Sequence, residues 1–333
     1  MIDPVAAPRK AYIFNPFLHP DLLVWPASGM ELVPGRLLPA SGQEIRPGAG
    51  AYTGLMAHHL GVSVEYLDWV GDDVFGELTL SQVRAAGHGT GLVRRYEGDH
   101  MVCVAVAGDT RDDATMIATY PSAWRRRLED FEPLVRAIPA DSLVYVYSWL
   151  WSFAHPELES ASTADLLIEA VRVNRLQLLI DPNWKPANHV PPGDLRQLRA
   201  ALGWTRTLLP NRRDAEELVG AHEPVDLVRR LLDLGPAVVV LKDGAAGAYV
   251  ATREEPEVVR VPALTVAPRD TTGAGDYFGG AYLAAGGGAV SRTAFAIAAA
   301  GLAISRPKGH ALPGREEIEA QGQVLLERAW EVR

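Results

Sequence analysis

At 333 residues, with 48% hydrophobic and 22% charged side chains, the chain has room for one large α/β domain or two ordinary ones, and neither disorder nor a low-complexity scaffold fits. Its 32 Lys and Arg against 41 Asp and Glu leave a formal net charge of −9, which argues against a general electrostatic grip on nucleic acid or an anionic membrane; any polyanionic ligand must be held locally. The one cysteine, Cys103, excludes an intrachain disulfide and, with no Cys or His cluster near it in the sequence, does not read as a zinc ligand, so a reducing cytoplasm is expected.

The apolar run after Arg9-Lys10 is broken at Asn15, Pro16, Pro20 and Asp21, which leaves no signal-peptide core and puts Asp21 at the end of a first strand. From about 22 to 47, Pro26, Pro34, Pro39, Gly29, Gly35 and Gly42 separate short apolar pieces with no helical period. Pro47-Gly-Ala-Gly-Ala-Tyr52 then turns into a helix over Thr53–Leu60 that closes at Gly61, and Gly48 and Gly50 permit close backbone approach to a ligand. Trp69-Val-Gly-Asp-Asp-Val-Phe-Gly76 repeats the order of strand, turn and helix, with Asp72 and Asp73 read as helix caps and Gly87 as the residue after the last turn. A second excursion, about 92–120, is rich in Val, Thr and Tyr, with a turn at Gly108-Asp109 and charges at Arg111-Asp112-Asp113. Within it Cys103 sits in the apolar run Met101–Val106 and reads as an inert core residue. The two excursions predict a small β lid outside the main sheet.

From Val144 onwards strand and helix alternate: strand Val144–Tyr147, helix Thr163–Val173, strand Leu176–Ile180, helix Leu195–Leu202, strand Thr207–Leu209, helices over Asp214–Leu218 and Val225–Leu234, and a buried strand Ala237–Leu241. That rhythm predicts βαβ units and a doubly wound, mainly parallel sheet with helices on both faces. Asp181-Pro-Asn-Trp-Lys185 falls at a carboxyl edge of the sheet, where open α/β sheets place ligands, and Lys185 stands where it could touch phosphate or an acidic sugar. The densest signal is Asp270-Thr-Thr-Gly-Ala-Gly-Asp276, a polar turn entering a helix. Gly273 and Gly275 let backbone N–H groups converge on an anion at a helix N-terminus, and Asp276 in the first turn is placed as a general base for a hydroxyl nucleophile. A bare helix cap at Asp270 or Asp276 is the plainer alternative. The small apolar residues from Gly279 to Ile304 predict two closely packed buried helices rather than a bilayer crossing. There is no Gly-x-x-x-x-Gly-Lys-Ser/Thr loop and no Gly-x-Gly-x-x-Gly after the first strand, which disfavours a P-loop kinase and a nicotinamide-dependent oxidoreductase.

These motifs, in this order over nearly the whole chain, resemble the ribokinase-like (PfkB) carbohydrate kinases, whose C-terminal signature reads Asp-Thr-x-Gly-Ala-Gly-Asp. The resemblance implies one ribokinase-like α/β domain over residues 1–333, with lid excursions at about 22–47 and 92–120. It implies Asp276 as catalytic base and Gly273, Ala274 and Gly275 as an anion hole; Asn211, Lys242, Gly244, Gly247 and Gly275 on ATP; and Asp21, Gly48, Gly50, Tyr52 and Asp276 on the substrate. Pro210-Asn-Arg-Arg-Asp214 is similar to the family's Asn-x-x-Glu motif and implies Asp214 at Mg2+ through water, while Asp270 and Thr272 are implied at a monovalent cation such as K+. Pro47 and Tyr52 stand where the family's Gly-Gly-x-Gly-x-Asn loop has Gly and Asn, so a sugar contact is lost or exchanged for stacking and a phenolic hydrogen bond. The implied activity is ATP-dependent phosphorylation of a hydroxyl on a sugar or sugar-like small molecule. Nucleosides are the alternative acceptor class, and a non-catalytic sugar or nucleotide sensor is the alternative function. A cytoplasmic homodimer, paired through exposed edges of the lid strands, completes the expectation.

Overall fold

The computed structural model describes residues 8, 10–14, 18–27, 35, 37, 39–48, 50–106, 115–119, 133–147, 163–183, 192–269, 271, 273–306 and 311–332. Strand β1 (Lys10–Phe14) buries its apolar run Ala11–Phe14 inside a ten-stranded sheet. The chain then leaves that sheet for β2 (Pro20–Pro26) and β3 (Ala40–Pro47), an antiparallel pair, and returns through α1 (Ala51–His59), β4 (Ser63–Gly71), α2 (Val74–Ala85) and β5 (Gly89–Tyr96). A second departure, β6 (Cys103–Val106) and β7 (Thr115–Ala118), completes a four-stranded sheet of order β3-β2-β6-β7.

The predicted alternation follows: β8 (Leu143–Tyr147), α3 (Thr163–Asn174), β9 (Gln177–Asp181), α4 (Pro192–Leu202), β10 (Thr205–Leu208), α5 (Arg212–Val219), α6 (Pro224–Asp233) and β11 (Val238–Lys242). Antiparallel β12 (Ala248–Thr252) and β13 (Val258–Val261) come next, then α7 (Ala274–Ala284), α8 (Ala289–Ser305), α9 (Arg315–Glu327) and β14 (Trp330–Val332). The order in the large sheet is β14-β13-β12-β11-β10-β9-β8-β1-β4-β5, parallel from β11 through β5. After β1 the chain builds outward to β5 on one side and then, from β8, to β11 on the other. Such a reversal opens a crevice outside the carboxyl ends of the strands. Phe14, Tyr147, Asp181 and Lys242 occupy those ends.

The excursion expected over 92–120 divides in the structure. Leu92–Tyr96 belongs to β5, which pairs in parallel with β4 from Leu67↔Leu92 to Gly71↔Tyr96. Leu92, Val93 and Tyr96 pack on the main core, and strand propensity alone does not say which sheet such a run will join. Among the described residues of that excursion only β6 and β7 go to the small sheet, and the first excursion begins at Pro20. Gly29, Pro34 and the turn at Gly108-Asp109 with its neighbouring charges lie outside the described residues. Asp73 caps α2, accepting the Phe75 and Gly76 amides at 3.1 and 2.9 Å, whereas Asp72 accepts the Gly98 amide at 2.9 Å instead. The two helices expected over Gly279–Ile304 are α7 and α8, and α7 lies so close to α1 that a Cβ on Gly280 would overlap the Thr53 carbonyl oxygen. Among the described residues no helix is long and apolar enough to cross a membrane.

Candidate active site

Gly273, with φ +75°, is the N-cap of α7 and turns the chain so that Ala274, Gly275 and Asp276 form the first helical turn. A helix N-terminus carries about half a positive charge. Asp276 is half-buried, and its Oδ1 accepts the Tyr147 hydroxyl at 2.8 Å. Thr53 donates its hydroxyl to the Asp276 carbonyl oxygen at 3.1 Å and lies against the Tyr147 hydroxyl. Helix α1, strand β8 and helix α7 therefore converge on Asp276. Burial, followed by the charge of Asp276, pushes the Tyr147 phenol well above its ordinary range, so it stays protonated and donates.

Tyr145, two residues back on the same face of β8, repeats the arrangement. Its hydroxyl donates to Asp181 Oδ2 at 2.8 Å, and its ring lies 5.1 Å from that of Tyr147. Asp181 is 1% exposed, and the same Oδ2 accepts Lys242 Nζ at 2.6 Å. Its Oδ1 is buried with no hydrogen-bond partner among the described residues. A Cβ on Gly275 would stand 3.8 Å from Lys242 Nζ, so the ammonium faces the turn expected to hold an anion.

Tyr52 opens α1 against that same turn. A Cβ on Gly273 would meet the Tyr52 ring at 3.4 Å, and Tyr52 meets Tyr277 edge-on with centroids 5.6 Å apart. Gly50 is the α1 N-cap, with φ +67°, and its carbonyl accepts the Tyr66 hydroxyl at 3.2 Å. Asp21 stands opposite Arg46 in the β2–β3 register. Gly48 packs so tightly that a Cβ there would come within 2.7 Å of Asp21 Oδ1 and the His19 imidazole. The structure thus joins Tyr52 to the turn of α7, and Asp21 to Gly48.

On the expected nucleotide side, Asn211 and Lys242 meet in an isolated parallel bridge. Asp214, expected at Mg2+ through water, stands at the start of α5. It is fully buried; its carboxylate accepts the Asn211 amide at 3.1 Å, and its own amide donates to Asn211 Oδ1 at 2.9 Å. This is a capping box at the start of α5, and the Asn-x-x-acid spacing that suggested a metal ligand is also the spacing of that box. Gly244, with φ +53°, has open space around it, while Gly247 is where the loop passes under β13 and a Cβ would overlap the Val261 carbonyl oxygen. Asp270, Thr272 and Lys185 lie outside the described residues.

The model of the pfkB family carbohydrate kinases matches residues 39–313. The chain belongs to that family. This carbohydrate kinase is 26% identical over 232 residues to the ATP-dependent 6-phosphofructokinase of Thermoanaerobacterium thermosaccharolyticum, covering 69% of each chain. It is 27% identical over 301 residues to the ribokinase of Bacillus subtilis, covering 85% of this chain and 89% of that one. Its fold matches that of a putative ribokinase II from E. coli with a TM-score of 0.74 at 21% identity, over 95% of this chain and 99% of that one. The ribokinase-like fold and sugar kinase activity expected from the motifs are borne out.

Three residues gathered here were not singled out by the sequence, Thr53, Tyr145 and Tyr147, whereas Asp181 was placed at the carboxyl edge of the sheet. The signals were present. Two tyrosines alternate at the carboxyl end of a strand, and Asp181 ends the neighbouring one, which is where a doubly wound sheet places ligands.

Proposed function

We propose that this carbohydrate kinase moves the γ-phosphoryl group of ATP to a hydroxyl of a sugar or sugar-like acceptor, with Asp276 as general base. The observation that carries this reading is the Asp276 carboxylate, held by the Tyr147 phenol in the first turn of a helix whose N-terminus faces Lys242. The acceptor hydroxyl gives its proton to Asp276 as its oxygen bonds to the γ-phosphorus, and the bond from that phosphorus to the ADP oxygen breaks. Charge on the moving group is met by the amides of Gly273 to Gly275 and by Lys242, because positioning and electrostatics supply most of the catalysis in phosphoryl transfer.

ATP and Mg2+ are supported by the E. coli relative, whose structure is in complex with both. The donors here fit such an ion: Asp181 Oδ1 is a hard oxygen, buried with no hydrogen-bond partner among the described residues. Bound with the nucleotide, Mg2+ neutralises phosphate charge. The small sheet serves as a lid that excludes water on closing. It carries Asp21, whose two carboxylate oxygens suit a pair of sugar hydroxyls. Tyr52, set against the turn of α7, offers the acceptor a ring face and a phenol in place of the amide usual in the family. The kinase works in a reducing cytoplasm as a homodimer joined at the exposed β3 edge, a state that light scattering on a sizing column measures directly.

Asp276→Asn lowers ADP release by about 10²–10⁴-fold, with circular dichroism and melting temperature unchanged. Near-normal turnover in that folded variant removes the base from the mechanism. The same assay across pentoses, ketoses, sugar acids, sugar phosphates and nucleosides identifies the acceptor.

A further inference from the structure

Strands β2 and β6 run parallel with Asp21 opposite Cys103, so these two side chains stand beside one another. His19 precedes Asp21 by two residues, and strand alternation puts it on the same face. Three different donors therefore meet at the base of the small sheet: one imidazole nitrogen, one carboxylate oxygen and one sulfur, all within 4.8 Å of one another. His19 is 6% exposed and Cys103 3%. His19 Nε2 lies 3.2 Å from Asp21 Oδ1, within ion-pair range, yet that buried oxygen has no aligned hydrogen-bond donor among the described residues.

Ligands around a tetrahedral zinc at its usual bond lengths stand about 3.3–3.7 Å apart. The His19–Asp21 separation is already close to that, and rotation of the Cys103 side chain brings the third donor in. A thiolate and an imidazole favour zinc and its neighbours, whereas Mg2+ takes oxygen donors, so the ion that travels with ATP does not compete here. Gly48 covers the cluster where any side chain would collide with His19 and Asp21.

We propose that His19, Asp21 and Cys103 are three ligands of a zinc-class metal site in the small sheet, and that a metal held there withdraws Asp21 from the sugar. The second half rests on the reading of Asp21 as an acceptor-binding residue. Binding needs Cys103 as thiolate and His19 neutral, so the metal displaces their protons, and water fills the fourth position. The site inhibits the kinase by acting on the acceptor rather than on ATP.

The probe is Zn2+ alone. The full chain, stripped with a chelator, is titrated with Zn2+ against a chromophoric competitor, and in parallel with Co2+. One equivalent binds, and Co2+ gives a near-ultraviolet thiolate-to-metal band. Cys103→Ser abolishes the band and weakens Zn2+ by at least about tenfold. His19→Gln weakens Zn2+ comparably, and both variants keep the wild-type melting temperature; if one of them melts early, the other carries the comparison. Failure of the wild type to bind Zn2+, or unchanged affinity in the folded variants, overturns the site. In the ADP-release assay, one equivalent of Zn2+ raises the acceptor KM at constant ATP KM in the wild type and not in Cys103→Ser. An unchanged acceptor KM in the loaded wild type overturns the inhibition. Zn2+ binding is read without turnover, so an enzyme inactive towards every acceptor would sink the kinase mechanism and leave the metal site standing.

Discussion

Tyr147 reaches Asp276 Oδ1 at 2.8 Å and Tyr145 reaches Asp181 Oδ2 at the same distance, so two phenols fix two carboxylates. Burial and the neighbouring negative charges keep both phenols protonated. A donor on a carboxylate favours its charged form, which is the form a base needs. Tyr147→Phe removes that donor and leaves the helix in place. We expect kcat to fall about tenfold with little change in acceptor KM, and the acid limb of the kcat/KM profile to move to higher pH; a wild-type profile would deny Tyr147 a positioning role. Asp276 was legible in the sequence because Gly273, Gly275 and the carboxylate act through local backbone geometry that seven consecutive residues specify. Tyr147 was not, because its partner lies 129 residues away and Val-Tyr-Val-Tyr states only a strand.

At the scale of elements, the site depends on how closely α7 approaches α1 and β8. Gly279 and Gly280 permit it: a Cβ on the first would overlap the Tyr145 hydroxyl, and a Cβ on the second the Thr53 carbonyl oxygen. Gly280→Ala forces the helices apart and should cost about 1–3 kcal/mol, seen as a lower melting temperature together with a loss of turnover larger than the unfolded fraction explains. Equal stability and activity would show that the α1–α7 spacing is not what holds Asp276. The sequence foretold both helices from their small apolar residues, but not which glycine faces which neighbour. The Asn211–Asp214 pair shows the limit from the other side. Its spacing serves a metal motif and a capping box equally well, and the structure forms the box.

For the whole molecule, two buried histidines set an acid limit. Burial, with the charge of His58 second, lowers His88 to about 4, and burial lowers His100 to about 4. An unfolded histidine titrates near 6.5, so between about 6.5 and 4 the unfolded chain binds more protons, and stability falls as pH falls through that window. Each group contributes on the order of 3 kcal/mol across it. Both His88 nitrogens are buried without hydrogen-bond partners among the described residues, so His88→Leu should keep its stability at pH 7 and flatten the acid slope in urea melts; an unchanged slope would remove His88 as a cause. The net charge of −9 requires any polyanion to be held locally, and the place proposed for it is the N-terminus of α7, which Lys242 faces. The sequence by itself determined the alternating architecture, the turn that opens α7 and the family, because these rest on local periodicity and short-range backbone chemistry. Only the tertiary structure decided that Leu92–Tyr96 joins the main sheet, that Tyr147 reaches the Asp276 carboxylate and that His19 and Asp21 meet Cys103. Each of those is a contact between distant parts of the chain, fixed by packing that no local pattern encodes.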